Sequence, residues 1–94
     1  MTTFTFHPDP GHGWLEVPVA ELFNIGLLPS DFSPYSYQQG NTVYLEEDCD
    51  ASVFIQTYEQ HVGPISVKEK FLNYDHWIRR LPRIVQVTDD DLSF

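Results

Sequence analysis

Lysine and arginine are what this chain has least of. Five occur in 94 residues against 14 Asp and Glu, giving a formal charge of −9. None of the five lies before position 68, whereas nine acids do (Asp9, Glu16, Glu21, Asp31, Glu46, Glu47, Asp48, Asp50 and Glu59). Lys68, Lys70, Arg79, Arg80 and Arg83 are offset by Glu69, Asp75 and Asp89 to Asp91, so the whole net charge belongs to the first two thirds. A field of that sign repels phosphate and excludes a basic nucleic-acid binder. One cysteine excludes an internal disulfide framework. No apolar run approaches the roughly 20 residues that a membrane helix needs, so no membrane partner is expected.

Known chemical signatures are equally scarce. Gly11-His12-Gly13 lacks the lysine and the longer glycine spacing of a phosphate loop. There is no nucleophile elbow, no C-x-x-C and no histidine pair at helical spacing. The opening Met-Thr-Thr-Phe-Thr-Phe has no basic stretch before an apolar core, so no secretory leader is expected. With a lone Cys49, a reducing, cytoplasmic setting is the simplest expectation.

What is present is apolar and aromatic. Apolar residues reach 41% and aromatics 15%, enough for one core but not two. Phe4 and Phe6 alternate with threonines as on a half-buried strand. His7 to Gly13 carries two prolines and two glycines and reads as a loop. Trp14 to Val17 reads as a second strand. Pro18 to Ile25 reads as a helix with Pro18 in its first turn, with Val19, Leu22, Phe23 and Ile25 near one face and Gly26 as the stop. Tyr35–Gln38 and Thr42–Glu46 frame a hairpin around Gly40-Asn41. A second helix is expected over 51–62, capped by Asp48 or Asp50, with Ala51, Phe54, Ile55, Tyr58 and Val62 at helical spacing. Strands are then expected at Ile65–Leu72, His76–Leu81 and Ile84–Val87, followed by an acidic tail at 88–94.

The order β-β-α-β-β-α-β-β predicts an α+β domain over 1–87. Short connections favour antiparallel pairing, with both helices on one face. Trp14 and Trp77 are expected in the core. Tyr35, Tyr37 and Tyr44 are expected to be partly exposed.

Two constellations bear on function. The first is the run Glu46-Glu47-Asp48-Cys49-Asp50. It can cap a helix, and it can also present carboxylates to a basic partner. With Glu16, Asp31, Tyr35, Tyr37 and Tyr44, these acids make a candidate protein-binding surface. The second is His7, His12 and Cys49, a metal or thiol site only if the fold assembles them. Otherwise Cys49 reads as a small buried residue, and neither catalytic residues nor a metal or cofactor are expected.

Four stretches carry a resemblance: Phe6 to Pro18 with its His-Gly-Trp-Leu, Tyr35-Ser36-Tyr37, Val43 to Asp50, and Ile78 to Pro82. Together they resemble small uncharacterised proteins encoded by bacteria, phages and plasmids. The resemblance implies a mobile-element context, in which small acidic proteins block host defence machinery such as CRISPR or restriction complexes. The leading expectation is therefore a non-enzymatic binding module, monomeric or homodimeric, that occupies a basic surface of a host protein without touching nucleic acid. A housekeeping interaction or structural module is the alternative.

Overall fold

The computed structural model describes residues 1–74 and 76–84. Five strands form one mixed sheet: β1 (Thr2–Pro8), β2 (Gly13–Pro18), β3 (Tyr37–Gln39), β4 (Thr42–Glu46) and β5 (Ile65–Glu69), in the order β3-β4-β2-β1-β5. Two helices, α1 (Val19–Asn24) and α2 (Asp50–His61), and two 3₁₀ turns, Pro29–Asp31 and Trp77–Arg80, complete it. The class is α+β, as the sequence predicts.

Alternation along the strands sorts the side chains onto two faces. Phe4, Leu15, Val17, Val43 and Leu45 face α1 and α2, whose Val19, Leu22, Ala51, Phe54 and Tyr58 close the main core. Phe54 and Tyr58 both meet Phe4 edge-on, at 5.3 and 5.4 Å between ring centres. Phe6 lies over Gly13, where any Cβ would sit 2.3 Å from the Phe6 ring, so β2 starts with glycine. Both helices thus pack on one face.

The opposite face is not left to solvent. Trp14, Tyr37 and Tyr44 stand on it and are covered by Ile78 and Leu81 from the C-terminal segment. Tyr37 and Tyr44, expected to be partly exposed, are therefore only 8% and 6% exposed; Tyr35, in the turn before β3, is 64% exposed.

The segment 76–81 is a 3₁₀ turn and not a strand. His76 Nδ1 accepts from the Ile78 N–H and caps it, and Ile78 is the residue of the turn Trp77–Arg80 that is buried against the sheet. Trp77, expected in the core, is consequently 43% exposed. β5 pairs with β1 in parallel, not antiparallel, because α2 carries the chain back across the sheet before β5 begins. β5 stops at Glu69, and Val67 and Phe71 are exposed on this edge.

Local chemistry adjusts other boundaries. Pro18 is the N-cap of α1 and not its first helical residue, and Phe23 is exposed. Gly26 ends α1 at φ 79°, with Leu27 N–H returning to the Leu22 carbonyl, the glycine-terminated ending the sequence suggests. Gly40 provides the positive φ of the β3–β4 turn. β3 begins at Tyr37 because Tyr35 is held in a turn closed by Ser36 N–H to the Ser33 carbonyl. α2 is capped by Cys49, without a side-chain bond, and Val62 lies exposed beyond its end. Of the expected strand at 84–87, Ile84 is buried and its N–H reaches the Ser36 carbonyl; 85–87 and the tail lie outside the described residues.

Candidate functional site

A cleft of about 300 Å³ opens where β2, β3 and β4 meet the β1–β2 loop and the start of α2. Its lining residues are His12, Trp14, Tyr35, Tyr37, Glu46, Asp48, Cys49, Arg79 and Arg83. Trp14 and Tyr37 contact edge-on at 6.0 Å between ring centres. The Arg79 guanidinium lies over Trp14 at 5.1 Å and that of Arg83 over Tyr37 at 5.2 Å, cation–π geometry in both cases.

Two buried carboxylates hold this cleft in shape. Asp9 is the first. Its Oδ1 accepts from the backbone N–H groups of Gly11 and His12 and from Arg79 Nη2. Its Oδ2 accepts from the His76 N–H and Arg79 Nε. One side chain thus closes the β1–β2 loop, anchors the segment entering the 3₁₀ turn and fixes Arg79 in a two-pronged ion pair. That pair with Arg79 is the largest reason the Asp9 carboxyl ionises far below the usual range; burial opposes it, and the three backbone donors reinforce it.

Asp50 is the second. Its Oδ2 accepts from the Ser33 N–H, the Ser33 hydroxyl and the Ser36 hydroxyl. Ser36 Oγ in turn accepts from the Glu46 N–H. The first residue of α2 is thereby tied to the turn that presents Tyr35 and to the end of β4.

The six expected acids separate into groups. Asp50 is consumed inside the molecule by the two serines. Asp31 caps its own 3₁₀ turn through the Leu28 N–H. Glu16 meets His7 at 2.8 Å. Glu46 is 8% exposed and accepts from the Cys49 N–H through Oε2. Of the six, only Glu47 and Asp48 are both exposed and without a side-chain hydrogen bond among the described residues. The run is therefore not one outward-facing sheet of charge. Tyr35, Tyr37, Glu46 and Asp48 do converge on the cleft, whereas Glu16 and Tyr44 line a different one.

No family model, curated protein or solved structure matches the chain.

The second cleft, about 310 Å³, is lined by His7, Glu16, Tyr44, Lys70, Phe71, Leu72, His76 and Trp77. His7 and His76 are both buried, with ring centres 5.1 Å apart. Burial first, and the neighbouring His7 second, push the His76 imidazole below its ordinary pKa. Burial, and then the Glu16 charge, push the Tyr44 phenol up.

The fold does not assemble His7, His12 and Cys49. His12 and Cys49 share the first cleft and His7 faces the second. Cys49 is exposed, contrary to expectation, because it caps α2 at the surface. Among the described residues no hydrogen bond joins it to His12, so no activated thiol pair is formed.

Asp9 and the Asp50–serine link are the structural residues that reading the sequence misses. Asp9 carried a signal, since Asp before Pro-Gly-His suits a side-chain-closed turn. Nothing in the sequence indicates that Arg79, 70 residues later, completes its coordination.

Proposed function

We propose that this protein is a non-enzymatic binding module that docks a basic surface of a protein partner at the first cleft. The observation that carries this is the exposed Asp48 carboxylate, without a side-chain hydrogen bond among the described residues, on an aromatic cleft whose Tyr35 ring is exposed, with the exposed Glu47 beside it in the chain. The Trp14 and Tyr37 rings already carry Arg79 and Arg83, and Tyr35 is the ring left open; its face takes the stem of a partner's lysine or arginine while Asp48, with Glu47 next to it in the chain, takes the charge. Arg79 does not cancel this, because its charge is met by the buried Asp9. The net charge of −9 steers the same class of partner from a distance.

The mobile-element context that the resemblance implies makes a host nucleic-acid-handling complex the first partner class to test. In that setting Glu47 and Asp48 would occupy lysine or arginine positions that otherwise hold phosphate. Two free acids are few for mimicry of a nucleic-acid surface, so a localised contact is the form proposed.

Capture from host lysate by Glu47→Lys/Asp48→Lys should lose the partner that the unaltered protein retains. Glu21→Lys/Glu59→Lys, on half-buried and exposed helical positions that do not line the cleft, should keep it. Each reversed contact is expected to cost about 1 kcal/mol or more through like-charge repulsion. Equal capture by both double variants would refute the docking site.

A further inference from the structure

We propose that the first cleft selects a basic residue at a chain terminus: a lysine or arginine whose free α-carboxylate is bound as well as its side chain. This deepens the docking reading and rests on it.

A buried donor with nothing to bond points to the missing acceptor. Trp14 lines the cleft and is only 2% exposed, and its indole Nε1–H is the one buried side-chain polar group without a partner among the described residues. Native proteins rarely leave such a group unmet, because burial has already cost it its water. The neighbours of Trp14 do not supply an acceptor. Tyr37 meets it ring to ring, and the Arg79 guanidinium over its face can only donate. Glu46 lies opposite Trp14 across the sheet, but its Oε2 accepts from the Cys49 N–H instead. An acceptor carried by a ligand would complete the site.

Arg83 makes a charged acceptor the better match. It is exposed, lines the same cleft and stands over Tyr37, the ring that adjoins Trp14. Its Nη1 donates to the Pro34 carbonyl, and no carboxylate pairs with it among the described residues. In a chain with 14 acids and five Lys and Arg, a guanidinium without a carboxylate is conspicuous. The planar fork of arginine suits a carboxylate in particular.

The cleft therefore offers two kinds of contact. Trp14 from β2 and Arg83 from the C-terminal segment donate, and Asp48 from the β4–α2 turn accepts. A terminal lysine or arginine carries the complement of both: its carboxylate meets the donors, its cation meets Asp48, and its stem lies on Tyr35. An internal basic residue brings only a neutral carbonyl to the donors and leaves Arg83 without an anion. A volume of about 300 Å³ is at the small end of ligand pockets, which suits one residue better than a long segment. Capture of a terminal carboxylate is a known mode of peptide recognition.

The test titrates the full chain with N-acetyl-Gly-Gly-Lys bearing a free carboxylate, and with the same peptide as its C-terminal amide. The field of the protein favours the amide, which carries one more positive charge, so a preference for the acid has to come from the cleft. The acid should bind at least about tenfold more tightly, the loss expected when hydrogen bonds to a charged group are removed. The chain has two tryptophans, so its ¹⁵N–¹H spectrum contains two indole signals, which Trp77→Phe assigns. The acid should move the Trp14 indole signal downfield and leave that of Trp77 in place. Arg83→Gln, at an exposed position, should remove the preference for the acid while keeping the affinity for the amide. Glu47→Lys/Asp48→Lys should weaken both peptides. Equal or tighter binding of the amide, with the Trp14 indole signal unmoved, would overturn the carboxylate contact and leave the docking site standing. Binding of neither peptide would overturn both.

Discussion

Asp9→Ala is expected to lower the unfolding free energy by about 3–5 kcal/mol, the cost of removing one partner from a buried ion pair. For a domain of this size that is a large share of the roughly 5–15 kcal/mol available, and it should lower the melting temperature by more than about 10 °C. The cost concentrates here because one carboxylate serves three segments. Its loss leaves the Gly11, His12 and His76 N–H groups without this acceptor and takes the Asp9 charge away from Arg79. Asp9→Asn should fall between the two, keeping acceptor geometry on one atom while losing the charge. Urea unfolding of the three proteins checks this; a loss below about 1 kcal/mol for Asp9→Ala would show that the ion pair is dispensable.

Acid should act through the same residue. Asp9 ionises far below its ordinary 3.8 in the folded chain, so its stabilisation is complete above that value and drains as pH falls through the range beneath it. His76 behaves in the same direction at higher pH. Its folded pKa lies below 6.5, so as pH falls below 6.5 the unfolded chain takes up a proton that the folded chain resists. Stability should therefore start to fall below about pH 6.5 and fall again below about pH 4, and Asp9→Asn should flatten the second stage.

Asp50→Ala is expected to cost about 2–3 kcal/mol and to loosen the cleft as well as the fold. Three donors lose their acceptor, and an acid leaves the first turn of α2, where the helix dipole favours it. Because Ser36 also accepts from Glu46, the damage should reach β4. Amide exchange should accelerate at Ser33 and Glu46, on either side of the serine link. Ser36→Ala should reproduce the Glu46 effect, and the double variant should cost less than the sum of the two. Additive losses would show that Asp50 and Ser36 act separately.

Much of the sheet was legible because its inner positions alternate cleanly: Phe4 and Phe6, Leu15 and Val17, Val43 and Leu45 all point to the helices. The outer face was misread, because alternation assumes that one side of an antiparallel sheet is wet. Tyr37 and Tyr44 are covered by Ile78, and that cover arrives from a segment whose own Trp77-Ile78-Arg79-Arg80 pattern imitates a strand. Parallel pairing of β5 was equally hidden, since it depends on where α2 delivers the chain and not on residues within β5. The acidic run was visible as charge, but which acids are spent was not. The serines that take up Asp50 and the N–H groups that take up Asp31 and Glu46 are known only once the turns are folded. Glu47 and Asp48 remain by subtraction.

The central claim is that the cleft beside Glu47 and Asp48 receives a basic partner surface. A backbone amide titration of the full chain with a short arginine- and lysine-rich peptide, with chelator present to keep metal out, tests it most directly. Shifts confined to 11–14, 35–37 and 46–49 are the predicted result. Shifts spread evenly over Glu21, Glu59 and Glu69, or no shifts at all, would contradict it.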